Sequence, residues 1–238
     1  MGPPMSTDAV IWHDLECGAY TADLPHWHAL AQAHPGVVLD VGAGTGRVAL
    51  SLARSGHSVI ALERDRELAA ELARRARGLP VEVLCADACR FTLASPVSLV
   101  IVPMQTIHLL AERAPFLDCA RRALTAGGVL AVALLGEGVE PFELELEPDA
   151  VALGAVRYES TPTALRRRDG AVLLERRRTR IAGGRSQSAI DLIALTECDR
   201  ATLSREAVSA GFEPLASRVI APTLEHAGSE IVYLGVAA

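Results

Sequence analysis

The 238-residue chain contains no lysine; all 23 of its basic residues are arginine. That excludes Schiff-base chemistry and a lysine general base. Aromatic residues make up only 4%, and no apolar run approaches the ~20 residues needed to cross a membrane as a helix. Residues 1–20 lack the basic start and apolar core of a signal peptide. The five cysteines (Cys17, Cys85, Cys89, Cys119, Cys198) are odd in number and scattered. Cys85 and Cys89 stand four apart without a second Cys/His pair, so zinc is not expected and the cysteines read as thiols of a reducing cytoplasm. A net charge of −6 sets aside polyanion binding as the main business. The expectations are a cytoplasmic protein with no membrane partner, no nucleic-acid partner and no metal. Half the residues are hydrophobic, which suits one large α/β domain or a domain carrying an insertion.

Strand and helix patterns alternate through the first half. Val38 closes an apolar run into Asp40, and Val48–Arg54 reads as a helix with Gly56 behind it. His57–Leu62 is a second strand. Asp65 caps a helix through Arg77, with Leu68 and Leu72 on one face, Glu71 four before Arg75 and Gly78 as the stop. Val81–Cys85 is a third strand, and Ser98–Val102 a fourth, too uniformly apolar to have a wet face. Pro115 opens a helix ending at Gly127-Gly128, and Val129–Leu135 is a fifth strand. Such alternation predicts a doubly wound α/β sheet. From Val156 to Leu195 the chain reads instead as three antiparallel strands joined at Asp169-Gly170 and Gly183-Gly184. A helix over Thr202–Ala210 and a terminal hairpin follow. The expected divisions are a leading helix or lid over 1–35, a core over 36–150, inserted strands over 151–198, and the last helix and hairpin over 199–238.

The most informative stretch is VLDVGAGTGR, residues 38–47. Gly42, Gly44 and Gly46 let the backbone turn sharply and bring a ligand against main-chain N–H groups, and the helix behind them points its positive end at the same place. A dinucleotide fingerprint needs G-x-G-x-x-G, hence a glycine at position 47, where this chain has Arg47. Arg47 itself reads as an ion-pair residue. Glu63 ends the second strand where an acid can accept from both ribose hydroxyls. Asp87 follows the third strand, where a carboxylate can accept from an adenine amine or cap a helix.

The series VLDVGAGTGR, ALERD, CADACRF, SLVIVPMQTIHLL and ALTAGGVLAVAL resembles the class I S-adenosylmethionine-dependent methyltransferases over roughly residues 36–135. The resemblance implies a seven-stranded, mostly parallel sheet of order 3-2-1-4-5-7-6 with the seventh strand antiparallel, plus the inserted antiparallel strands. It implies S-adenosylmethionine as cofactor and S-adenosylhomocysteine as product. Gly42, Gly44 and Gly46 would run under the methionine and ribose, Glu63 would hold the ribose, and Asp87 and Ala88 would stand at the adenine, with Asp40, Ala43 and Arg64 also among the cofactor-binding residues. Met104 and Gln105 would line the sulfonium side. Ser98 departs from the Asp common at the head of the fourth strand.

The acceptor is less legible. The N/D-P-P-Y/F motif of enzymes that methylate nucleic-acid amines is absent, the equivalent stretch being Val102-Pro103-Met104-Gln105, and no acid stands where metal-dependent catechol-type enzymes have one. A small-molecule acceptor with an N or O nucleophile is expected. His108 is a candidate general base or substrate contact, and equally a packed loop histidine; Tyr20 is a candidate lid residue at the acceptor. Between Arg157 and Arg185 nine arginines meet three acids, a local excess of six positive charges. That ribbon reads as a solvated or homodimer-forming surface, or as a cover recognising an anionic acceptor; it lacks the interleaved aromatics of a nucleic-acid surface. A protein that binds the cofactor without transferring methyl remains the alternative reading.

Overall fold

In a computed structural model, residues 6–136, 140–143, 146–222 and 228–237 are described. The chain divides into two compact units, one of residues 20–137 and 198–238, the other of residues 1–19 and 138–197.

The larger unit is built on seven strands: β1 (Val38–Val41), β2 (Val59–Glu63), β3 (Val81–Cys85), β4 (Val97–Val102), β5 (Leu124–Leu135), β10 (Glu213–Ile220) and β11 (Ser229–Gly235). Their order is β3-β2-β1-β4-β5-β11-β10. β1 to β5 pair in parallel, and β11 inserts antiparallel between β5 and β10. This is the order that the family resemblance implied. Side-chain alternation sorts each strand onto two faces. Leu39, Val41, Val100, Val102, Leu130 and Val132 pack with α5 (Ala114–Ala123) and α6 (Arg200–Ser209). Val38, Leu99, Ile101, Ala131 and Ile231 pack with α2 (Leu24–Ala33), α3 (Arg47–Arg54) and α4 (Arg66–Arg75). Burial on both faces explains why the central strands read as continuous apolar runs.

Local signals account for the element ends. Asp65 caps α4 by accepting from the Glu67 and Leu68 N–H groups at 2.8 and 3.1 Å. Ser98 Oγ donates to the carbonyl of His34 at 3.1 Å, closing the end of α2 onto β4. β5 starts earlier than expected, at Leu124, because Leu124 pairs with Val97 across an irregularity at the head of β4. The crossover from β3 to β4, residues 86–96, contains no helix. The sheet face beneath it leaves a groove of about 540 Å³ lined by Val37, Ile60, Glu82, Leu84 and Leu93. That groove opens near the amino ends of the strands, whereas ligands of open α/β sheets bind at the carboxyl ends.

The smaller unit is an antiparallel sheet of order β6-β7-β8-β9: β6 (Asp149–Leu153), β7 (Val156–Arg168), β8 (Ala171–Ala182) and β9 (Arg185–Thr196). It has four strands, not three. β6, with one half-buried residue in five, carries no alternation that would reveal it. Both long hairpins turn where expected, with positive φ at Asp169 and Gly170 (52° and 74°) and at Gly183 and Gly184 (55° and 72°).

Helix α1 (Ser6–Cys17) packs on β6 and β7 of the same unit, with Trp12 edge-on to Tyr158 at 5.2 Å. The arginine surplus is largely neutralised here by acids outside the Arg157–Arg185 interval. Arg178 grips both oxygens of Glu16 at 2.8 and 2.7 Å and reaches Asp191 at 3.0 Å. Arg176, 8% exposed, donates to Ser160 Oγ and Asp149. Arg166 pairs with Glu143 and Glu175, and Arg167 with Glu197. Much of the ribbon's charge is therefore committed inside its own unit.

Candidate active site

The carboxyl ends of β1, β2, β3 and β4 bring the expected residues to one edge of the large sheet. β1 ends at Val41, and Gly42, Gly44 and Gly46 follow with φ of 72°, 57° and 100°. At Gly42 a Cβ would run into the Thr106 side chain, and at Gly46 into Leu72 and Leu50. These two positions therefore need glycine for both conformation and space. The Gly42 and Ala43 N–H groups donate to the Leu62 carbonyl at 2.8 and 3.0 Å, and Gly46 becomes the N-cap of α3.

Glu63, 7% exposed, holds the loop directly. Its Oε2 accepts the Gly44 N–H and its Oε1 the Asp65 N–H, each at 2.8 Å. Two lone pairs remain on that carboxylate for further donors. The Arg64 side chain is exposed. On the neighbouring loop Asp87 is exposed and accepts the Cys89 N–H at 2.8 Å, with Ala88 buried behind it. Past β4, Met104 adopts φ = 53°, a left-handed conformation uncommon for a side-chain-bearing residue, and stands half-buried beside Gln105.

Asp40 lies beneath this loop, 1% exposed, and neither carboxylate oxygen has a hydrogen-bond partner among the described residues. Burial pushes its carboxyl up to about 7, against the opposing charge of Arg47. The Ala49 amide at the start of α3 also favours the ionised form, but falls short of hydrogen-bond geometry. Arg47 is an ion-pair residue, as its sequence context suggested, but an internal one. It meets Asp23 bidentately, Nη1 to Oδ1 at 2.5 Å and Nη2 to Oδ2 at 2.8 Å. Asp23 also accepts the Trp27 indole N–H at 2.8 Å. Arg47 donates to the Tyr20 carbonyl as well, and its guanidinium sits 5.1 Å from the Tyr20 ring centroid. Tyr20 is thus packed beside the glycine loop. Burial and the Asp23 charge raise its hydroxyl above the ordinary tyrosine value, with the neighbouring Ser229 side chain and the Arg47 charge opposing.

His108, in a 3-10 turn over Thr106–Leu109, is buried. Its Nε2 accepts the Leu135 N–H at 2.9 Å. The lone pair of that nitrogen is therefore engaged, and the neutral ring carries its proton on Nδ1. Sequence reading did not single out Asp23 or Thr106. Asp23 lies 24 residues before its partner, and Thr106 matters only because Gly42 lies against it.

A protein-family model described as a methyltransferase domain matches residues 38–128. The chain is 47% identical over 53 residues to the dimethyladenosine transferase of Saccharomyces cerevisiae, a stretch that is 22% of this chain and 17% of that protein. Among solved structures, the sugar N-methyltransferase KedS8 from Streptoalloteichus superposes with a TM-score of 0.77 at 17% identity, over 100% of this chain and 96% of that one. CalS10, an amino pentose methyltransferase from Micromonospora echinaspora solved with S-adenosylmethionine bound, superposes with a TM-score of 0.72 at 17% identity over 98% of both chains. Residues 38–128 thus match a methyltransferase-domain model, and the chain shares the α/β fold of these solved methyltransferases.

Proposed function

We propose that this protein transfers a methyl group from S-adenosylmethionine to a nitrogen of a small-molecule acceptor. The observation that carries the reading is the cradle itself: a glycine loop that no Cβ could replace at Gly42 or Gly46, tied down through Gly44 by Glu63 over the unpartnered carboxylate of Asp40. Those groups fit a cationic, ribose-bearing ligand. Glu63 keeps lone pairs for ribose hydroxyls, Asp40 supplies negative charge to an ammonium or sulfonium, and Asp87 stands exposed for an adenine amine. The bound cofactor would supply a methyl group already activated by its sulfonium. The protein's part is then to align an acceptor in line with it, which can be worth ~7–11 kcal/mol.

The state of His108 favours nitrogen over oxygen. A hydroxyl acceptor benefits from a general base, and the Nε2 of His108 is already engaged by Leu135. A neutral amine needs no such base. The acceptors named for KedS8 and CalS10 support a small molecule of this kind.

The test is incubation of the protein with methyl-labelled cofactor and a panel of amine, hydroxyl and carboxylate acceptors, alongside binding of S-adenosylhomocysteine and NADPH. Label on an amine with S-adenosylhomocysteine binding supports the reading. Tight binding with no product across the panel supports a non-transferring cofactor protein, and preference for NADPH removes the proposal.

A further inference from the structure

Strand β9 is twelve residues long and stands at the edge of the order β6-β7-β8-β9. Its register with β8 runs from Ala171–Thr196 to Ala182–Arg185 without a bulge. Just past that ladder the Glu197 N–H donates to the Gly170 carbonyl at 2.8 Å, which fixes the odd-numbered residues of β9 as those bonded to β8. The N–H and C=O groups of Ser188, Ile190, Leu192 and Ala194 therefore point outward from the sheet edge. The Ile190 and Leu192 side chains, on the face opposite buried Leu195, are 60% and 58% exposed. The remaining sheet edges are blunted in ways that discourage pairing. β3 and β6 have only five residues each, and β10 carries Pro214 and an irregularity between Pro214 and Ser217. β9 has neither proline nor lysine.

We propose that two copies of this chain join through β9, edge to edge and antiparallel about a two-fold axis, so that their smaller sheets become continuous. The proposal is independent of what the larger unit binds. A two-fold contact sets the same strand against itself in opposite directions, and ladder bonds form only where outward-pointing residues meet outward-pointing residues. Two registers of that kind overlap the strands equally. One sets Ile190 against Ile190, Leu192 against Ser188 and Arg185 against Leu195. The other sets Ile190 against Leu192 of the second copy, twice over, and Arg185 against Glu197 at both ends. The second register matches apolar with apolar and positive with negative, and is the one we assign. Its axis passes Asp191, whose carboxylate has Arg178 at 3.0 Å as counter-ion in each copy. A foreign strand would meet the same backbone groups without this repeated complementarity of side chains.

The test is sedimentation of the full chain through the micromolar range, with amide exchange followed by NMR. A dimer is expected, in which the Ser188, Ile190, Leu192 and Ala194 amides are protected. On dilution to monomer those four should exchange faster, while Ala189, Asp191 and Ile193, bonded to β8 in either state, stay slow. Ile190→Lys should raise the dissociation constant by about tenfold or more, because each dimer carries the change twice. Slow Ala189 and Ile193 amides in that variant would show its sheet intact. Leu192→Pro removes an outward donor that β8 does not use, and should weaken the dimer likewise. Arg185→Glu should weaken it less and recover with added salt. Should the variants not fold, the alternating exchange pattern of the unaltered chain decides alone. A chain that stays monomeric throughout, a dimer whose outward β9 amides exchange as in the monomer, or one that a folded Ile190→Lys leaves unchanged overturns the proposal.

Discussion

Glu63 accepts the Gly44 N–H on one oxygen and the Asp65 N–H on the other, both at 2.8 Å, so a single carboxylate ties the β1–α3 loop to the entry of α4. The residue expected to hold a ribose therefore also shapes the loop that would receive the ligand. Glu63→Ala leaves both donors without that acceptor, at about 1–3 kcal/mol for a buried unsatisfied group. It should lower unfolding stability and S-adenosylhomocysteine affinity together. Glu63→Gln, which keeps one acceptor oxygen, should fall between wild type and alanine in both chemical denaturation and calorimetric titration. An alanine variant with wild-type stability would remove the loop-shaping role.

The Arg47–Asp23 pair is bidentate and largely buried, with side chains 10% and 3% exposed. Removing one partner of such a pair strands the other, at about 3–5 kcal/mol. Asp23→Asn should therefore lower unfolding stability by several kcal/mol, with an effect nearly independent of salt between 0.05 and 0.5 M, in roughly the range where exposed pairs are screened. A salt-sensitive loss, or one below about 1 kcal/mol, would place the pair at the solvent edge.

Gly42→Ala should damage the site twice over, through φ = 72° and through contact with Thr106. The left-handed backbone alone costs roughly 1–2 kcal/mol for a residue with a Cβ. Gly42→Ala/Thr106→Ala should recover the part due to contact and not the part due to φ. Denaturation midpoints of the two variants separate the contributions; no recovery in the double variant would mean that Thr106 yields freely.

In the smaller unit, burial alone would raise the Glu16 carboxyl, but hydrogen bonds from Arg178 and Ser160 outweigh it and hold the group below its usual range. The unfolded chain then binds this proton more readily than the folded one. The stability Glu16 contributes is present above its ordinary carboxylate value and is lost as pH falls through the lower folded value. Urea midpoints read through the near-UV signal of Trp12, which packs on Tyr158, should drop across that acidic window. The drop should shrink in Glu16→Gln. An identical acid profile in the variant would assign the loss to other carboxylates.

What the sequence made legible was local. Asp65 as a cap, Asp169-Gly170 as a turn and the apolar run of β4 each act through residues within a few positions of one another, and each stands in the structure as read. The partners that give the site and the sheet their electrostatics are distant along the chain: Asp23 for Arg47, Glu16 for Arg178, Asp149 for Arg176. Charge counted along 157–185 could not show this, because pairing depends on which helix and which strand pack against the arginines. β6 escaped for a related reason. Its pairing with β7, not its own pattern, makes it a strand.

The proposed amine chemistry predicts only a small catalytic effect of removing His108. Its Nε2 is occupied by the Leu135 N–H, so a role as general base would require that bond to break during turnover. His108→Ala should cost about 1–3 kcal/mol of stability by leaving the Leu135 N–H without its acceptor. It should lower kcat for an amine acceptor by less than about tenfold, because general-base removal typically costs about a hundredfold to ten-thousandfold. The pH profile of kcat/KM should keep its rising limb, set by deprotonation of the acceptor amine, in both proteins. His108→Gln, able to present a carbonyl oxygen to Leu135, should restore stability without altering that limb. Loss of the limb in His108→Ala, with kcat down a hundredfold or more, would make His108 the base and shift the expected nucleophile from nitrogen to oxygen.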